Sequence, residues 1–542
     1  MERETFLESD RCGHGRRNFL KGMGISGLMA MGLSGCGDNR GDFVVTPATA
    51  QASSRVQRAI DFRTTRARLA NANPASHVSN GDEARYSNYI ASFSKTLPHN
   101  DLGEVDPSAF QAFVAAMDSF DLTALENVPR GGTLGFANST AGQSFTLLGV
   151  DGQSVTMVPA PTFESAEHAA EMVDLYWQAL CRDIPFTDFG SNPTVAAAAG
   201  ELSSLTDYRP GAVTPSTVFR GILNGDKVGP YISQFLYQTV PFGALSVEQQ
   251  LLPLQAGLNH MTTLVDAVNV QRGIAAGPES FGATRRYISN FRDLAAYVHV
   301  DALHQAYLQA ALILLGQGVS VDSGFPFNAT TRSGGFVTFG GAAILGLVTE
   351  VAVAALKAAW YQKWNVHRRL RPEAMGIRTH VHRIGGASYP IHSQLLNSNA
   401  LTQTFNQQGT YLLSQAYPEG SPTHPSYGAG HAAVAGACTT VLKALFNGNA
   451  TLANPVQADQ TGSALVAVGD TLTVNGELNK LCSNISIGRN AAGVHYITDY
   501  SNCITMGEQV AISILLDTLA ASDVSGQLTL EKFDGTTVTL NA

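Results

Sequence analysis

Lys363-Trp-Asn-Val-His-Arg-Arg-Leu-Arg371-Pro372 sets a lysine and an arginine eight residues apart and closes the step with a proline. Wound as an α-helix over Val351–Leu370, at about 100° per residue, it brings Trp360, Lys363, His367 and Arg371 into a stripe of roughly 80°. Pro372 disfavours helical geometry at the residue before it, so the helix is expected to end at Arg371. The guanidinium is then freer to aim at whatever Lys363 faces. Arginine offers a planar fork to oxyanion oxygens and lysine a compact point charge. Read alone, the segment is equally a solvated basic stripe with Arg368 and Arg369, or a set of cations paired with acids such as Glu373.

Two further pieces change the balance. Pro422-Thr-His424-Pro-Ser-Tyr-Gly428-Ala429-Gly430-His431 is a shaped loop running into a small, apolar stretch that starts a helix. A helix N-terminus presents unpaired N–H groups and favours anions, and Gly430 permits close approach of the backbone. His431 at that junction suits acid–base work, or simply caps the helix. Arg489-Asn-Ala-Ala-Gly-Val-His495 follows, with Asp499 four residues after His495 and on the same helix face. A carboxylate there can fix the tautomer of a ligating imidazole. Lys363, Arg371 and Arg489 with His431 and His495 describe a pocket for a tetrahedral oxyanion.

The rest of the chain frames that pocket. Its 542 residues are 44% hydrophobic and 14% charged, which describes a globular protein. A net charge of −9 excludes nucleic-acid binding by counterion release and makes the cationic cluster a local feature. Arg16-Arg17-Asn-Phe-Leu-Lys21 and the apolar run 22–33 form a twin-arginine export pattern, and Leu33-Ser-Gly-Cys36 resembles a lipobox. A periplasmic or membrane-anchored bacterial lipoprotein, held by a lipid on Cys36, is expected. Residues 1–36 are thus signal and 37–60 a small, polar tether. Cys181, Cys438, Cys482 and Cys503 lack metal-ligand spacing and read either as disulfides or as buried thiols.

Apolar periodicity predicts a mainly α protein of packed helical bundles, with helices at 166–181, 245–271, 293–315, 340–370, 431–446 and 505–519. Short hairpins are expected at 144–158 and 528–540. No linker interrupts residues 61–542, which read as one catalytic domain with its site-bearing core at about 340–520.

The combination of K-x7-R-P, G-H opening a helix and R-x5-H resembles the vanadium-dependent haloperoxidases, relatives of the type-2 phosphatidic acid phosphatases. The eight-residue step is similar to the bromoperoxidase branch. Leu175–Phe186, Phe219–Phe235 and Glu477-Leu-Asn-Lys480 extend the likeness from about residue 60 to the end. The resemblance implies vanadate as cofactor, with hydrogen peroxide and bromide or iodide as substrates and a diffusible organic acceptor. It implies that Lys363, Arg371, Arg489 and the Gly430 N–H hold vanadate and that His495 bonds the metal. Lys363 would also polarise bound peroxide, and His431 would be the acid–base residue. Trp360 and His424 would flank the halide, with Asp499 behind His495. A homodimer is the expectation by analogy.

One position departs from the family pattern. Bromoperoxidases read Pro-Ser-Gly-His where this chain has Gly428-Ala429-Gly430-His431, so a serine hydroxyl is missing. A hydrogen bond to a charged group contributes roughly 1.5–3 kcal/mol, about one or two orders of magnitude in vanadate affinity. Two other readings use the same residues. One is a phosphomonoesterase with His495 as nucleophile and His431 as leaving-group acid. The other is an exported oxyanion-binding lipoprotein without activity.

Overall fold

Seven helices position the site. In the computed structural model, residues 50–72, 75–205, 207–208, 213–522 and 524–541 are described. Helix α1 (Ala166–Leu180) starts where the Ser165 side chain accepts the His168 N–H. Helix α2 (Phe291–Tyr297) is capped by Asn290. Helix α3 (Gly341–Tyr361) is apolar and runs into a wide π-helical turn, Gln362–His367. Arg368 then takes a left-handed conformation (φ 36°) and Arg371 an extended one, and Pro372 occupies the first turn of α4 (Pro372–Arg383). Helix α5 (Gly430–Leu445), α6 (Val474–Ala491) and α7 (Ile497–Ala520) complete the set.

The core lies where α5 packs against α3, α6 and α7. All but one of the residues of α5 are buried, an environment that its Gly/Ala-rich sequence suits. Two glycines set the closest approach. A Cβ on Gly436 would stand 2.1 Å from the Ile504 carbonyl oxygen, and one on Gly507 2.1 Å from that of Ala433. Any larger residue would push α5 and α7 apart. Residues 67–542 form one compact unit, and a second unit ends at Arg66.

The architecture is the expected mainly α one, with three two-stranded antiparallel sheets among the described residues. The hairpin expected near the C-terminus is present as Gln527–Glu531 paired with Thr537–Asn541. The one expected at 144–158 is absent; that segment holds only a short 3-10 turn, Gly152–Ser154. The long helix expected over 245–271 is also absent. Leu245–Val247 pairs with Val240–Phe242, and only Leu264–Gln271 is helical. Pro253 lacks a donor and disfavours helix at the residue before it, which the apolar periodicity did not reveal. The segment 293–315 is two helices, Phe291–Tyr297 and Gln305–Gly316. Ala50–Ala72 is helical, overlapping the last part of the expected tether. The signal and lipobox residues lie outside the described residues. Cys181, Cys438, Cys482 and Cys503 are all buried, free thiols.

Candidate active site

The wide turn after α3 rearranges the predicted stripe. In a π turn the hydrogen bonds span five residues, here Arg368 N–H to Lys363 O at 3.1 Å. Lys363 therefore points into the protein, fully buried, and donates to the carbonyls of Pro425 (2.6 Å) and Ser426 (3.0 Å). Its ammonium also lies 5.6 Å from the Trp360 ring centroid. His367 leaves the stripe and packs edge-on against Tyr427 at 4.8 Å.

The cations divide by partner. Arg368 pairs with Glu83, and Arg369 with Glu171 (2.6 Å) and Asp499 (3.0 Å). Glu373, the acid nearest in sequence, is engaged by Lys95 at 2.8 Å. Lys363, Arg371 and Arg489 make no ion pair among the described residues. Arg371 donates to the carbonyls of His424 (2.9 Å) and Val494 (2.7 Å) and to ring nitrogens of His424 and His495, each at 2.8 Å. Arg489 donates to Val298 O at 2.7 Å and lies against the Tyr417 ring. All three are at least 96% buried. The solvated-stripe and acid-paired readings therefore fail for Lys363 and Arg371, whereas the acid-paired one describes Arg368 and Arg369.

Burial without acids has an electrostatic signature. Desolvation, then Arg371, holds the Lys363 ammonium well below its usual pKa. Desolvation pushes Arg371 down to about 9. His495 is pressed well below the imidazole range by burial, then by Arg371, Lys363 and Arg489, so these four groups share one field.

His495 is oriented from behind. Its Nδ1 donates to Asp499 Oδ2 at 2.7 Å, which leaves the Nε2 lone pair on the Arg371 side. Asp499 also accepts from the Tyr496 N–H (3.1 Å) and from the Ser426 hydroxyl. Ser426 and Glu171 carry no signal in the sequence, and Arg369 reads there only as a member of a basic stripe, because their role lies in a buried network with no spacing of its own.

At the mouth of α5, His431 Nε2 pairs with Asp301 Oδ1 at 3.0 Å across 130 residues. Burial lowers the imidazole pKa while Asp301 works to raise it. No local pattern signals Asp301. His424 is tilted against Trp360 with ring centroids 4.8 Å apart, and the Trp360 indole N–H donates to Ala137 O. The Ala429 N–H donates to the Cys503 thiol at 2.9 Å.

A tetrahedral oxyanion fits these residues. Three buried cations lack carboxylates, the buried Arg489 Nε has no partner, and α5 starts without a side-chain cap. A Cβ on Gly430 would stand 3.1 Å from Trp360 and 3.2 Å from Leu356, so the backbone there is bare for a steric reason.

Known proteins resemble this chain in sequence and fold. Residues 345–519 match the model of the VCPO second helical-bundle domain. Vanadium-dependent bromoperoxidases from Corallina pilulifera and Corallina officinalis are each 37% identical, covering 90% of this chain and 98% of theirs. The one from Ascophyllum nodosum is 35% identical, covering 81% of this chain and 83% of its own. The homohexameric second vanadate-dependent bromoperoxidase of A. nodosum superposes with a TM-score of 0.86 at 28% identity, covering 94% of both chains. By likeness along nine-tenths of its length, the chain belongs to the vanadium-dependent bromoperoxidase family.

Proposed function

We propose that this chain oxidises bromide or iodide with hydrogen peroxide on bound vanadate, releasing a hypohalous-acid-like oxidant that halogenates diffusible organic molecules. The observation that carries the reading is three buried cations without acids, gathered around an imidazole whose outer nitrogen is fixed by Asp499.

Bound vanadate supplies a Lewis-acidic centre, in its highest oxidation state, at which peroxide becomes electrophilic toward halide. The protein does the rest. Lys363, Arg371 and Arg489 neutralise the oxyanion, and the Gly430 N–H at the start of α5 adds a donor. His495 would hold the metal through Nε2, the nitrogen that faces the Arg371 guanidinium here. His431 uses Nε2 on Asp301, so Nδ1 is the nitrogen open to a proton from incoming peroxide. Asp301 would stabilise the imidazolium that results, with the proton kept on His431. Trp360 and His424, their rings 4.8 Å apart, would form the wall beside which halide approaches.

The deciding assay follows peroxide-dependent bromide and iodide oxidation, with and without vanadate, beside aryl-phosphate hydrolysis. Vanadate-dependent halide oxidation supports the proposal. Hydrolysis inhibited by vanadate selects a phosphomonoesterase, and binding without turnover an inactive oxyanion-binding protein.

Export through the twin-arginine route, with a lipid on Cys36, belongs to the same proposal: a diffusible oxidant is safer made outside the cytoplasm. Replacing Arg16 and Arg17 by lysine should retain the protein in the cytoplasm on fractionation. Self-association is part of the reading too, because the A. nodosum structure is homohexameric. A homodimer is the smallest such assembly, and sedimentation velocity measures which forms.

A further inference from the structure

On the far side of Tyr417 from Arg489, Glu279, His299 and Glu419 each place one donor atom within 4.8 Å of the other two. The contacts within this group are directional. His299 Nε2 bonds Glu419 Oε1 at 2.6 Å, which leaves the Nδ1 lone pair facing Glu279 Oε2 at 3.5 Å. His260 Nε2 approaches the other Glu279 oxygen at 3.9 Å. Three of these atoms, His260 Nε2, Glu279 Oε2 and His299 Nδ1, are buried and have no hydrogen-bond partner. Buried polar groups are rarely left unpaired, and here three of them converge.

The donors are built in from separate chain segments that are bonded to one another. His260 pairs through its backbone with Gln415 (2.9 and 3.0 Å). The loop bearing Glu279 is tied to Pro253 and Gln255 by the Gly282 N–H and the Ser280 carbonyl. His299 stacks on Tyr417 with ring centroids 3.8 Å apart, and Tyr417 donates to Ala295 O.

We propose that Glu279, His299 Nδ1 and His260 Nε2 hold a divalent metal ion of borderline softness, with Zn2+ the best fit. Glu419 then serves as the carboxylate that fixes the ring of a ligating histidine from its far nitrogen. Bonds of about 2.0–2.1 Å in a tetrahedron put neighbouring donors about 3.4 Å apart; His299 Nδ1 already stands 3.5 Å from one Glu279 oxygen, and the His260 ring, 3.9 Å from the other, has to turn inward to complete the set. Two imidazoles disfavour Ca2+ and Mg2+, which prefer all-oxygen shells. The ion would pin the Glu279 loop against Tyr417, whose ring lies 5.5 Å from the Arg489 guanidinium. Its part is structural, and it is independent of the vanadate reading.

The test titrates Zn2+ into the untagged full chain after chelation, in the absence of vanadate, by calorimetry and by thermal unfolding. One saturable equivalent that raises the melting temperature is expected, together with weakening of about 10–100-fold in Glu279→Gln and in His260→Gln. Circular dichroism checks that each variant folds, and His260→Gln decides alone if Glu279→Gln does not. Absence of saturable binding overturns the proposal. So does binding undiminished in a folded variant, which places the ion elsewhere, or a preference for Ca2+ over Zn2+.

Discussion

His495 and Asp499, one turn apart at the start of α7, meet at 2.7 Å through Nδ1 and Oδ2. The carboxylate that orients the imidazole also accepts the Tyr496 N–H at the start of that helix, so tautomer and helix origin share one group. Asp499→Asn should therefore weaken vanadate binding by about 10–100-fold, because an amide can present a donor to Nδ1 and reverse the tautomer. Equilibrium dialysis with vanadate measures it. Unchanged affinity would remove Asp499 from the site.

Ala429 is the N-cap of α5, extended (φ −73°, ψ 122°) and buried, with no side-chain cap. Serine there would supply both a cap and a hydroxyl beside the oxyanion pocket. Ala429→Ser should raise helix stability by about 0.5–2 kcal/mol and tighten vanadate by about one or two orders of magnitude. Thermal melts without vanadate and dialysis with it separate the two effects. A gain in stability alone would place the hydroxyl outside the oxyanion site.

His431→Ala should reduce halide oxidation by about 10²–10⁴-fold, the usual worth of a positioned acid–base group. Asp301→Asn should leave more activity but move the limb governed by His431 to lower pH. The carboxylate favours the imidazolium, so removing it lowers the pKa that burial already depresses. The pH–rate profile with saturating vanadate reads this, and a shift to higher pH would contradict the assignment.

Asp226 gives a stability dependence remote from the site. Desolvation pushes its carboxyl up to about 7, against hydrogen bonds from the Leu223 N–H and Ser483. The folded chain thus keeps a proton that the unfolded chain releases near pH 4. Stability is lost as pH rises from about 4 to about 7, and the loss is complete above that, at most about 4 kcal/mol. Asp226→Asn should flatten denaturant midpoints across this window; a dependence equal to the parent's would rule Asp226 out.

The chemistry of the site was more legible in the sequence than its backbone. Lys363, Arg371, His431 and His495 stand out because charge and glycine spacing are local properties. The stripe drawn through Trp360, Lys363, His367 and Arg371 failed at His367, since periodicity assumes 3.6 residues per turn and the chain widens into a π turn. The expected helix at 245–271 failed at Pro253, where apolar spacing outlasts helical geometry. Asp301, Ser426 and Glu171 stayed hidden because buried pairing across more than 70 residues leaves no trace in local spacing.

Gathering Lys363, Arg371 and Arg489 in one desolvated field makes the folded chain a sink for anions as well as a catalyst. By mass action, an oxyanion present at about 100 times its dissociation constant stabilises the fold by about 2.7 kcal/mol. Phosphate, sulfate and vanadate should each draw on that same reserve, which would make the melting temperature a gauge of the anions in the medium. The pocket that sets the chemistry also acts as the protein's thermostat.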